Sequence, residues 1–333
     1  MSRSGGETIE TIYWGGGTPS QLDKEDFETI FYYLHKNYSI SSHPEITLEA
    51  NPDDLTPDYI AMLRTLPFNR LSMGIQTFNE SILKVLQRRH TARQAIEAFQ
   101  NCRAAGFQNI SIDLMYGLPG ETLSTWQQDL DQALLLHPEH LSAYHLIYEE
   151  DTVLWKLREQ HKVEEADEDL SVSLFSTLID RLTSEGYDHY EISNFSLPGL
   201  YSRHNSSYWT EKKYLGCGPS AHSYNGVSRQ WNVASLDTYI KGISAGTPVF
   251  EIEELDLYTR YNDFVITRIR TEWGMPLSKL RDEFGEKLYD YCLRMAAPHL
   301  KQGTLELVND ILKLTRKGIF ISDGIMSDML WTD

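Results

Sequence analysis

Five places in the first 113 residues carry side chains suited to gripping a ligand that is both charged and hydroxylated. Gly15-Gly16-Gly17-Thr18 lets backbone N–H and C=O groups approach a bound molecule closely, and Thr18 adds a hydroxyl. The run has neither the spacing of a dinucleotide fingerprint nor the Lys-Ser/Thr of a phosphate loop, so it suits a zwitterionic amino-acid end. Glu49 can accept from a hydroxyl or amine, and Gln76 can both donate and accept. Arg88 offers a two-pronged grip on a carboxylate, and Asp113 can take two ribose hydroxyls. Each alone reads as a solvated loop residue; together they describe a site for a nucleoside carrying an amino acid.

What could bring them together is a series of βα units. Short β-rich runs at 10–14, 45–50, 69–75, 109–115 and 140–146 alternate with helical stretches such as 21–36 and 122–136. The last helix carries Trp126, Leu130 and Leu134 on one face. In an α/β barrel the C-terminal strand ends share one rim, and the glycine run, Glu49, Gln76 and Asp113 all fall at or near such ends. The fold expected is therefore a barrel over 1–150.

Beyond residue 150 the alternation breaks. A helix at about 165–186 leads into YEISNFSLPGLYSRHNSSYWTEKKYLGCGPSAHSY, read as an irregular, aromatic-rich segment that covers or contacts a ligand. Residues 151–255 are expected to form a barrel extension. From 256 to 333, three helical patterns precede two short strands joined at Asn309-Asp310, which reads as a winged-helix-like module. The chain has a formal net charge of −18, which argues against nucleic acid, and no apolar run reaches the roughly 18 residues of a transmembrane span. MSRSGGETIE has no apolar h-region, so a cytoplasmic protein is expected.

YWGGGTPS, LEANPDDLT, NRLSMGIQTFN, LQRRH and SIDLMYGLPGET resemble the successive barrel motifs of the oxygen-independent coproporphyrinogen III oxidase-like radical S-adenosylmethionine (SAM) family. The resemblance runs through nearly the whole chain. It implies a radical-SAM-type partial (β/α)6 barrel, and SAM contacts from Gly16, Gly17, Thr18, Glu49, Gln76, Arg88 and Asp113, with Ile147 and His222 lining the same pocket. Family members also carry Cys-x3-Cys-x2-Cys, which holds a [4Fe–4S] cluster and lies roughly 50 residues upstream of the position of Gly15. Here 14 residues precede Gly15, and the three cysteines are Cys102, Cys217 and Cys292. The expectation is a chain that starts inside a longer gene, holds five of six barrel strands with the first missing, and cannot ligate the cluster. Cys102 and Cys292 read as core, and Cys217, between two glycines, also as structural.

Within the family, His-Asn-x-x-Tyr-Trp marks the haem-chaperone branch, and here it is His204, Asn205, Tyr208 and Trp209. A neutral imidazole suits axial ligation of haem iron, and Tyr and Trp rings suit a porphyrin face. His204 is the first candidate ligand, His222 the second and Cys217 the third; a histidine capping a loop is the plain alternative. The resemblance implies binding of haem and SAM and transfer of haem to an acceptor protein. The other branch would be an enzyme, a SAM-dependent coproporphyrinogen oxidase acting on porphyrin propionates, and no catalytic residue is assigned.

Overall fold

The computed structural model describes residues 6–332. The expectation of an internal start at MSRSGGETIE falls partly on residues 1–5, outside the described residues. The chain forms two compact units, one ending at His204 and the other starting at Asn205.

In the first unit the five expected runs are all strands: β1 (Thr8–Trp14), β2 (Ser39–Ala50), β3 (Arg70–Gln76), β4 (Ile110–Tyr116) and β5 (His140–His145). They pair in parallel in that order as an open, curled half-barrel. Two further strands, β6 (Asp188–Glu191) and β7 (Asn194–Ser196), form an antiparallel hairpin that extends the sheet past β5. The sequence reading had no strand there. Strands covered on both faces ordinarily read as continuous apolar runs. These alternate instead: Ile46, Leu48, Leu71, Met73, Ile112, Leu114 and Leu141 point to one buried face, and polar residues occupy the positions between.

Helices join the strands, and their ends are chemically marked. Thr91 and Gln94 form a reciprocal cap on the helix Ala92–Ala104, as their spacing predicts, and Cys102 is fully buried in it. The helix Leu123–Leu135 starts at a similar Thr122/Thr125 cap and buries Trp126, Asp129, Leu130 and Ala133; Leu134 lies off the centre of that face.

The second unit contains two small antiparallel sheets. One comprises β8 (His222–Tyr224), β9 (Ser228–Asn232) and β10 (Phe250–Glu254), with β9 in the middle. The other comprises β11 (Met275–Pro276), β12 (Leu305–Val308) and β13 (Ile311–Leu314), with β13 in the middle. Asn309 and Asp310 turn β12 into β13 with φ of 48° and 73°, the left-handed pair that a two-residue hairpin needs. Helices Leu257–Ile269 and Leu277–Gln302 complete the winged-helix-like arrangement around Tyr261, Phe264, Cys292 and Leu312.

Candidate functional site

Strand register settles which side chains share the inner face of the half-barrel. Thr11 pairs with Glu45 and Tyr13 with Thr47; Thr47 pairs with Arg70 and Glu49 with Ser72. Ser72 pairs with Ser111, which pairs with His140, and Asp113 pairs with Ser142. Registered partners point to the same side, so five strands assemble one continuous polar face opposite the apolar core.

Two groups of the expected residues converge on this face near the C-terminal strand ends. In the first, the Tyr13 hydroxyl donates to Glu49 at 2.6 Å and the Gly16 N–H donates to the same carboxylate at 3.3 Å. A Cβ on Gly15 would lie 2.6 Å from the Tyr13 ring and 2.7 Å from the Glu49 carboxyl, so only glycine lets these groups meet. Ser72 donates to Asp113 at 3.1 Å and Ser142 adds a second hydrogen bond. In the second group, Arg88 donates to Asn51 at 2.7 Å and to the Gly74 carbonyl at 2.9 Å. Its Nε is buried without a partner. A Cβ on Gly74 would lie 3.0 Å from Gln76 Nε2, which places the Gln76 amide beside this guanidinium. Gln76 has a φ of 70° at a bulge in β3, a strained conformation of the kind that persists where a site needs it.

The remaining expected residues are placed differently. Thr18 precedes a short helical turn and its side chain caps nothing, and the Cβ position of Gly17 faces open space. Ile147 is 75% exposed between buried Leu146 and Tyr148. His222 belongs to the second unit, where it is exposed on β8 and its ring stacks on Trp231 at 6.0 Å.

Burial pushes Asp113 up to about 6, against its serine hydrogen bonds and the Arg70 charge. The folded chain therefore holds a proton at this carboxyl in a window where the unfolded chain has lost it, and stability falls as pH rises from about 4 through 6. Asp113→Asn is expected to flatten the dependence of unfolding free energy on pH across that window. Urea titrations of both proteins at pH 4.5 and 7.5 check this; equal slopes would show that Asp113 does not retain its proton.

His204 lies on the same inner face. Its Nδ1 is 2.9 Å from the Thr11 hydroxyl and its ring stacks on Tyr13 at 4.7 Å and 17°. The Glu45 carboxylate accepts from the backbone N–H groups of Arg203 and His204, at 3.0 and 2.8 Å. Burial and then the Arg70 charge hold the imidazole down to about 4, so it is neutral near pH 7. Arg70 itself is 1% exposed, with no partner for its Nε, and it acts in the same direction on buried His140, which bonds Ser111 and Tyr190. The HNSSYW segment, expected to be irregular, is the helix Arg203–Trp209. Within the second unit the Tyr208 ring meets Tyr214 edge-on at 4.7 Å, and the Arg270 guanidinium lies 4.1 Å from the centre of the Trp209 ring.

Tyr13, Thr11, Ser72, Ser142 and Arg70 were not anticipated as site residues. The signal for them is polar side chains at alternate positions of parallel strands, as in Ser111 and Asp113 of SIDLM.

Residues 3–133 match the radical SAM superfamily and residues 255–321 match the HemN C-terminal domain. The heme chaperone HemW of Lactococcus lactis is 32% identical over 98% of this chain and 86% of its own length. HemW of Bacillus subtilis is 30% identical over 99% and 88%, and that of Mycobacterium tuberculosis 32% over 97% and 81%. The chain belongs to the HemW-like branch of the radical SAM family. The HemW-like chain also superposes on Escherichia coli coproporphyrinogen III oxidase (HemN), with a TM-score of 0.83 over 97% of this chain and 78% of that one; at 23% identity this shows the fold alone.

SAM and a [4Fe–4S] cluster are the cofactors of the radical SAM family. The residues of the HemW-like rim fit SAM: the glycine-only approach at Gly15, the unpartnered Arg88 Nε, and Glu49 and Asp113, oriented by Tyr13 and Ser72, offer donors and acceptors for an amino-acid end and a ribose. They do not fit the cluster. Cys102 and Cys292 are buried in separate units, with thiols pushed up to about 12 and about 11 by burial, and Cys217 is exposed. Among the described residues no group of three His, Cys, Asp or Glu side chains is placed to hold a metal ion.

Proposed function

We propose that this chain is a haem chaperone that binds haem as cargo and hands it to an acceptor protein. The observation that carries the reading is His204, a neutral imidazole whose Nδ1 is engaged by Thr11 and whose ring is fixed against Tyr13. A hydrogen bond on one ring nitrogen is what orients a metal-binding histidine. Asn205, Tyr208 and Trp209 continue the motif, and the Tyr208 and Trp209 rings suit a porphyrin face. The names of the HemW relatives support the same cargo. SAM, held by Gly16, Gly17, Thr18, Glu49, Gln76, Arg88 and Asp113, would supply a positioned nucleoside. Ile147 and His222 stay proposed SAM contacts by resemblance. Three free cysteines suit a reducing compartment, which supports a cytoplasmic location. No helix among the described residues is long and apolar enough to cross a membrane.

The test is a haemin titration followed at the Soret band. Thr11→Val keeps the shape of the strand residue and removes the hydroxyl that orients His204, and it is expected to weaken binding about tenfold. His222→Ala is expected to leave the affinity within about twofold, since 1.4 kcal/mol is a tenfold change and no such contact is lost. The reverse ordering would move the axial donor to His222.

A further inference from the structure

The second unit carries an apolar and acidic surface along the edge of the β8–β9–β10 sheet. The helix Leu236–Ser244 is strongly amphipathic, yet Gly242 is its one buried residue. Its apolar stripe of Leu236, Ile240 and Ile243, spaced at one face of a helix, is exposed, Ile240 by 52%. Tyr239 shares that face and packs at its margin, its hydroxyl accepting from the Gly218 N–H, while a Cβ on Gly242 would lie 3.2 Å from Val249. Next in the chain comes β10, which among the described residues pairs with β9 alone and is exposed at all five positions, Ile252 by 53%. Edge strands are usually blunted by charge, proline, a bulge or short length. In β10, FEIEE, the blunting is by carboxylates, which disfavour an acidic neighbour but not a basic one, and its register is unbroken.

We propose that the free edge of β10, with the adjoining Leu236–Ser244 helix, docks an extended basic segment of a partner polypeptide by strand addition. The backbone groups along the free edge supply the pairing, and alternate side chains supply the choice of partner. Phe250 and Ile252 offer apolar contact at alternate positions, while Glu251, Glu253 and Glu254, with Asp237 on the helix, set a negative field that lysine or arginine would complement. Charge also argues against a second copy of this chain. Antiparallel pairing of two β10 strands about Ile252 sets Glu251 against Glu253 twice, and like charges directly across a ladder are destabilising. An anionic membrane is disfavoured by the same carboxylates. The inference stands independently of haem.

A fluorescein-labelled peptide of alternating lysine and valine, and its glutamate-for-lysine counterpart, provide the test on the intact chain. The basic peptide is expected to bind at least about tenfold more tightly than the acidic one, and to lose about tenfold or more between 0.05 and 0.5 M salt. Hydrogen exchange should slow at Phe250–Glu254 on binding. Ile252→Lys, at a side chain that already faces solvent, should lower the affinity about tenfold, whereas Leu307→Lys on exposed β12 should not. Equal binding of the two peptides, or protection elsewhere, would overturn the proposal. So would a dimer in light scattering, or binding to phosphatidylglycerol vesicles, that Ile252→Lys abolishes.

Discussion

Haemin binding by the His204→Ala variant is expected to be about 100-fold weaker than that of the parent, a loss of ~2.7 kcal/mol. The argument rests on what surrounds the ring. Thr11 engages one nitrogen, Tyr13 stacks on the face, and Glu45 holds the backbone at residues 203 and 204, so the imidazole is delivered in one orientation. Because burial and Arg70 keep it neutral, no proton has to leave before iron binds at pH 7. Removing the ring also removes a packed aromatic neighbour of Tyr13, so a loss of binding could reflect a loosened inner face rather than a lost ligand. Added imidazole separates the two. If His204 is the axial donor, millimolar imidazole should restore the Soret position and part of the affinity in the alanine variant; a purely structural role predicts no rescue. Unchanged affinity in His204→Ala would remove this residue from the haem site.

Trp126→Ala is expected to lower the unfolding free energy of the barrel unit by ~3–5 kcal/mol, measured by urea denaturation. Trp126 is fully buried, its indole N–H donates to the Leu174 carbonyl at 3.0 Å, and its ring packs beside Tyr116 at 5.6 Å. Truncation leaves a cavity and removes the indole hydrogen bond, while the Leu174 carbonyl keeps its partner within the helix Glu168–Ser184. Should the alanine variant fail to fold, Trp126→Phe isolates the hydrogen bond, at an expected cost of ~1–2 kcal/mol. The same helix carries Asp129, whose carboxylate accepts from Thr77 Oγ1 at 2.5 Å and from the Phe78 N–H at 2.8 Å, so the helix also fixes the turn after β3. Loosening it is therefore expected to disturb the bulge at Gln76. A destabilisation below ~1 kcal/mol in Trp126→Ala would contradict this packing role.

The parallel strands were legible because their apolar residues alternate and each is followed by a helical pattern with its own cap, as at Thr91 and Gln94. The rim residues were legible for a related reason: glycines and carboxylates at strand ends have few structural uses. The inner face was harder to read. Thr11, Ser72, Ser142 and Arg70 look like solvent-facing strand positions in sequence, and only the curl of the sheet turns them inward. His204 was found by its motif, but its surroundings were not, since Glu45 reaches it from 159 positions away. Serine and asparagine favour turns and caps over helix interiors, so HNSS reads as irregular; the distant carboxylate supplies the first-turn acceptors that let it be helical. The sheet of β8, β9 and β10 was missed for want of a strand signal, since Ser, Arg, Gln, Asn and Glu dominate β9 and β10. The hairpin of β6 and β7 is short and lacks an Asn-Gly or Asp-Gly turn.

The most direct measurement is a haemin titration of the unsubstituted chain, followed at the Soret band against haemin alone. The expected result is saturation at one haemin per chain, with a shifted band and a dissociation constant of about 10 µM or tighter, or −6.8 kcal/mol or more favourable. Absorbance that rises without saturation or shift, as the sum of chain and free haemin, would contradict the assignment of this chain as a haem carrier.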